Sequence, residues 1–156
     1  MPHHSVVTPT RYELSVLMAE EPGLRHIKDL ALCEQVAHSK ERVDEIAMGC
    51  LQWLAAAFTL PRGAELLMFD GQVEAFLRLV ILDTEFFKHL YRRYADYPIR
   101  YKPLTISREN IGPFRGYIDW TIEYLHGTFG DALHPELAKW EHAHHIKLLP
   151  TGIASR

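Results

Sequence analysis

Apolar residues recur at three- and four-residue spacing along most of the chain, the mark of helices that bury one face. Thr8-Pro9 reads as a capping hydroxyl followed by a first-turn proline, leading into a helix over Arg11 to Glu20. Tyr12 to Val16 also alternate well enough for a short strand. Glu21-Pro22-Gly23 is a break, and Leu24, Ile27, Leu30 and Ala31 then mark a second helix to about His38. Ser39 is placed to cap a third, in which Val43, Ile46, Ala47, Cys50, Leu54, Ala57 and Phe58 form one stripe ending near Leu60-Pro61-Arg62-Gly63. Asp70-Gly71 opens the longest and most apolar pattern, about Gln72 to Tyr94, which is expected to form the centre of a bundle.

Between Asp96 and Pro113 the chain holds Pro98, Pro103, Gly112 and Pro113, which predicts a long ordered connection over about 96–112. Pro113 then starts a helix with Phe114, Tyr117, Ile118, Thr121, Ile122, Leu125 and Phe129 along one side, loosened at its end by Gly127 and Gly130. A last helix near Pro135 to Lys147 aligns Leu133, Leu137, Trp140, His144 and Leu148. The ends, 1–7 and 150–156, are expected to fray. The pattern predicts an all-α fold: one domain over 1–156, a compact bundle of five to six helices around the helix 72–94.

Composition narrows the class. A chain of 156 residues with 47% hydrophobic and 24% charged residues has the balance of an ordinary globular domain. The longest apolar runs, Leu79 to Leu82 and Leu54 to Phe58, are far shorter than the roughly 20 residues of a bilayer span. Met1-Pro2-His3-His4-Ser5 has neither the basic start nor the apolar run of a secretory signal, so the expected location is the cytoplasm. There Cys33 and Cys50, both within helical patterns, are expected as buried thiols, not a disulfide. A net charge of −3 provides no global field for a polyanion, so nucleic acid is not the expected partner.

Three features carry candidate chemistry. Projection of the helix 72–94 puts Glu74, Arg78, Glu85, His89 and Arg92 on a polar strip, with Phe76, Val80, Phe87, Leu90 and Tyr94 opposite. Asp83 falls within that apolar side, where a carboxylate must be paired, hydrogen-bonded, protonated or at a cavity edge. It is either a site residue or an acceptor that fixes helix packing, with Thr84 beside it bonding back along the helix. The second feature is the run from Tyr91 to Pro103, in which Tyr91, Arg92, Arg93, Tyr94, Tyr97, Arg100, Tyr101 and Lys102 join four tyrosines to four cations. Aromatic faces stack on bases or peptide groups while arginines hold carboxylates or phosphates. Equally, cations suit a helix C-terminus, and tyrosines bury their rings while keeping their hydroxyls wet.

The third feature is the histidines, ten in all. Glu123-x-x-His126 and Glu141-x-x-His144 have the spacing of di-iron helices. However, Asp119, Glu123, His126 and Gly130 lie opposite the Phe114/Ile118/Leu125 stripe, and one helix cannot aim His142, His144 and His145 at a single ion. Glu85/His89 and Glu34/His38 read as exposed i,i+4 pairs. No Ser/His/Asp arrangement or Gly-rich phosphate loop is recognisable.

Val73-Glu74-Ala75-Phe76-Leu77-Arg78-Leu79-Val80-Ile81-Leu82-Asp83-Thr84-Glu85-Phe86-Phe87 resembles a segment of the bacterial glycine-rich domain-containing protein-like family. In that family an acidic residue, a Trp-His pair and a further His precede an Ile-Leu-Asp-Thr-like run and an aromatic. Phe129-Gly130 followed by Trp140 is similar to its Phe-Gly and Trp ending. The likeness touches about a third of the chain, within about 70–140. Leu77, Arg78 and Val80 stand where the family has Trp, His and the second His. The resemblance implies an all-helical fold, directs attention to Asp83 and Thr84, and implies no particular activity.

The function expected from these features is non-enzymatic binding: a cytoplasmic helical protein contacting a partner protein or small ligand through 91–103 and Asp83, with no cofactor. The alternative is a metal- or haem-dependent enzyme, holding iron, zinc or haem through His144 with Asp83 or Glu141.

Overall fold

The computed structural model describes residues 10–61, 64, 66–68, 71–95 and 111–140, with no account of the side chains of 111–114. The described residues form an all-α bundle without a strand: α1 (Arg11–Ala19), α2 (Gly23–Cys33), α3 (Lys40–Phe58), α4 (Gly71–Leu82), α5 (Thr84–Tyr94) and α6 (Ile111–Phe129). A 3-10 turn follows at Gly130–Ala132, and residues 135–140 are again helical.

Local chemistry explains the boundaries. Thr10 caps α1 by accepting from the Glu13 N–H at 3.1 Å, so the cap lies two residues beyond the expected Thr8, which is outside the described residues. Ser39 caps α3 as expected, accepting from the Arg42 N–H at 3.2 Å. The second helix stops at Cys33 instead of continuing to about His38. There Gln35 takes φ 58°, while Val36 N–H bonds Ala31 C=O and Gln35 N–H bonds Leu32 C=O, the paired reverse bonds of a left-handed helix stop. α6 closes on Gly130, at φ 55°, where a Cβ would be strained.

The centre of the bundle is α3, not the expected helix 72–94. Every residue from Gly49 to Phe58 is buried, and α1, α2, α4, α5 and α6 all pack on it. The small residues Gly49, Ala55, Ala56 and Ala57 let neighbours approach on faces a stripe would leave to water. A Cβ on Gly49 would lie 2.8 Å from Cβ of Glu136, so this glycine is what admits the 135–140 segment.

The expected single helix 72–94 is two. Asp83, at φ −81° and ψ 85°, leaves the helix, and its carboxylate accepts from the Phe86 N–H at 3.1 Å as the N-cap of α5. Leu82, just before the break, is exposed. Val73, Phe76, Leu77 and Val80 of α4 and Phe86 and Leu90 of α5 reach the core. The polar strip reads much as expected: Arg78, Glu85, His89 and Arg92 are exposed and Glu74 half-buried, with Arg78 pairing Glu74 at 2.6 Å.

Between α3 and α4, Leu66, Leu67 and Met68 are buried without helical bonds. Side chains supply what the backbone lacks: Trp53 Nε1 donates to Leu67 C=O at 2.9 Å, and Leu67 N–H donates to Thr121 Oγ1 at 3.1 Å. On α6, Ile118, Thr121, Ile122, Leu125 and Phe129 are buried as predicted, but Tyr117 faces outward at 56% exposure. No described helix is long and apolar enough to cross a membrane. Both cysteines are free; Cys50 is buried, its thiol pKa pushed up by burial, whereas Cys33 is exposed, contrary to the expectation of two buried thiols.

Candidate functional site

α5 brings together the first four residues of the Tyr/Arg run. Leu90 anchors its last turns in the core. The Tyr91 ring packs edge-on to Phe87 with centroids 5.8 Å apart, so Tyr91 is a half-buried packing residue more than an open stacking face. Arg92 is exposed, with no ion-pair partner among the described residues. Arg93 is 62% exposed, with its guanidinium 5.6 Å from the Tyr94 ring centre. Tyr97, Arg100, Tyr101 and Lys102 lie outside the described residues.

Beneath these residues is a group that in the sequence marks only a turn. Glu21, in the elbow between α1 and α2, is a buried carboxylate. Its Oε1 accepts a short hydrogen bond from the Tyr94 hydroxyl, and its Oε2 lies 2.8 Å from His89 Nε2. An ionised carboxylate only accepts, so Nε2 carries the proton in this pair. Arg93 stands 3.5 Å away as a looser third partner. Burial works against the charge on Glu21, but the hydrogen bonds from Tyr94 and His89, with the charges of His89 and Arg93, outweigh it and hold the carboxyl below its ordinary 4.5. Burial and the bond to Glu21 push the Tyr94 hydroxyl up to about 12. His89 therefore pairs across the fold, not with Glu85 as its helix spacing suggested. The result is a clamp fixing the last turn of α5 to the α1–α2 elbow, close to the point where a Cβ on Gly23 would meet Phe86 Cδ1 at 2.5 Å.

Asp83 is a cap, as described above. It is half-buried, and Thr84 beside it is exposed. Of the metal candidates, Glu123 is exposed and His126 half-buried, Glu34 and His38 are both exposed, and Glu141, His142, His144 and His145 lie outside the described residues. No group of three or more His, Cys, Asp or Glu able to hold a metal occurs among the described residues.

A second charged cluster, also unforeseen, has a structural character. The buried Glu136 accepts from both terminal nitrogens of Arg42 and from Lys139 at 2.8 Å. Arg42 further donates to Gln72 Oε1 at 2.6 Å, and Gln72 donates to Val36 C=O at 3.2 Å. Burial raises the Glu136 carboxyl, but Arg42 and Lys139 more than compensate and leave it below 4.5. His134 caps the 135–140 segment, its Nδ1 accepting from the Glu136 N–H at 3.1 Å. Burial, helped by Arg42, lowers the pKa of this imidazole below 6.5 against the pull of Glu136 and Glu45.

An open groove of about 660 Å³ runs between α2 and the start of α3. Arg25, Lys28 and Lys40 share it with the carboxylates Glu20, Glu21, Asp29 and Asp44, and Lys28 pairs with Asp44 at 3.1 Å, so the two signs are interspersed along the groove. Comparison of the chain with protein-family models, with curated proteins and with solved structures finds no match.

Proposed function

We propose that this chain is a non-enzymatic binding protein that contacts a partner protein or a small anionic ligand through the segment beginning at the last turn of α5. The supporting observation is the Glu21 clamp. By holding Tyr94 and His89 it fixes the turn from which Arg92 and Arg93 project, so ordering these arginines costs a ligand little additional entropy. Arg93 keeps most of its surface open, and a planar guanidinium with free donors suits a carboxylate or phosphate. Arg100 and Lys102 continue the cationic composition along the chain. We assign the protein to the cytoplasm, where an exposed free thiol such as Cys33 persists in reduced form.

The test is capture by immobilised full-length chain from lysate of the source cells, compared with a variant carrying Arg92→Ala, Arg93→Ala and Arg100→Ala. The variant should retain its helical circular dichroism and lose the captured partner. Unchanged capture by the folded variant overturns the reading.

A further inference from the structure

We infer that His134 is a pH-sensitive latch: uptake of a proton on its ring favours release of the 133–140 segment from α3 while the rest of the bundle stays folded. His134 alone caps the helix of that segment. Pro135, in the first helical position, has no N–H to satisfy. Glu136 N–H donates to His134 Nδ1 at 3.1 Å, and the N–H groups of Leu137 and Ala138 both donate to His134 C=O at 2.9 Å. The His134 N–H in turn donates to Oε1 of the buried Gln52 at 2.7 Å, and Gln52 Nε2 donates to Ala132 C=O at 2.9 Å, so one side chain of α3 grips the backbone on both sides of Leu133. Nδ1 accepts from a backbone N–H only while it is unprotonated. A proton there sets two donors against each other and adds a cation at the positive end of a helix.

The charged groups acting on the ring lie on its own segment and on α3. Burial and Arg42 of α3 oppose the imidazolium, whereas Glu136 of the segment and Glu45 of α3 favour it; burial prevails, so the closed ring takes up a proton less readily than a free histidine. Closure is therefore fully favoured above pH 6.5 and gives way as pH falls below it. The ring is half-buried, within reach of solvent protons. The fold also lets the segment part by itself. An exposed 3-10 turn, with Gly130 at φ 55°, separates it from α6. When Glu136 departs, Arg42 keeps Glu45 at 3.1 Å and Gln72 at 2.6 Å, so no cation is stranded. Burial of Leu133, Leu137 and Trp140 keeps the open form a minor one at neutral pH.

Native-state hydrogen exchange of the full chain reads this opening. With intrinsic exchange rates divided out, the amides of 136–140 should open more readily than those of Leu51 and Leu54 in the centre of α3. Their opening constant should rise roughly three- to tenfold between pH 7.5 and 5.5, the range that one proton per opening allows. His134→Asn keeps an acceptor at the cap but does not titrate, so its opening constant for 136–140 should stay level over the same range; His134→Ser, a second non-titrating cap, should behave alike. Opening of 136–140 no easier than that of α3, a wild-type opening constant indifferent to pH, or a pH dependence that survives in both variants, which would place the proton elsewhere, would each overturn the proposal.

Discussion

Gln35 holds a conformation that suits glycine, with φ 58° at the residue after the α2 cap, and its side chain is exposed. Gln35→Gly should therefore stabilise the protein by about 0.5–1 kcal/mol, read as a rise of a few degrees in Tm. Gly49 is the opposite case. An added Cβ would press on Glu136 Cβ at 2.8 Å, where the neighbour is fixed close to its own backbone. Gly49→Ala should cost about 1–2 kcal/mol in chemical denaturation, overpacking outweighing the better helix propensity of alanine. Asp83 is anomalous in the sequence, but its departure from the helix is not visible there, because a short polar residue in an apolar run fits a cap as well as a buried site. Glu21 had no local signal at all. Its partners His89 and Tyr94 are 68 and 73 residues away, and a glutamate before Pro-Gly reads as ordinary turn chemistry.

At the scale of elements, Asp83 decides whether α4 and α5 are one helix or two. Asp83→Ala removes the acceptor for the Phe86 N–H and should cost about 1 kcal/mol, with faster hydrogen exchange at that amide. Most helices were legible from spacing and capping chemistry: the Ser39 cap of α3, the Glu21-Pro22-Gly23 break and the part of the α6 stripe from Ile118 to Phe129 stand in the fold as the pattern predicts, with Tyr117 turned outward instead. The choice of central helix was not. Hydrophobicity singled out 72–94, whereas centrality went to α3, whose alanines and Gly49 are small enough to be covered from every side. Periodicity reports which face is apolar; it does not report how many neighbours the small residues on the other faces admit.

The whole molecule is held by charges whose protonation sets its pH range. Glu21 and Glu136 have carboxyls lowered from 4.5, so their contributions are complete above that value and are lost as pH falls through their lower folded values. The imidazole of His134, lowered from 6.5, adds an earlier loss, since below 6.5 the unfolded chain takes up a proton that the folded cap resists. Tyr94 acts at the other end. Raised from 10 to about 12, it contributes fully below pH 10 and loses that contribution as pH climbs towards 12. The buried Cys50 thiol, raised from 9.0, adds to the alkaline loss, so the denaturation midpoint in urea should be flat between about pH 6.5 and 9 and fall on both sides. Tyr94→Phe should make the alkaline limb shallower, leaving the part due to Cys50, and should also weaken the acid limb, because Glu21 loses the hydroxyl that helps hold its carboxyl down; an unchanged alkaline limb would show that the Tyr94 hydroxyl does not contribute.

The unequal placement of the three tryptophans makes the protein its own optical reporter. Trp53 and Trp140 are sealed in the core, whereas Trp120 looks outward from α6. A charged quencher added to the native chain should dim only the emission of Trp120 and leave that of the other two until the bundle opens. Unmodified protein can thus show in one cuvette, by different fractions of its fluorescence, whether its surface is occupied and whether its interior is intact.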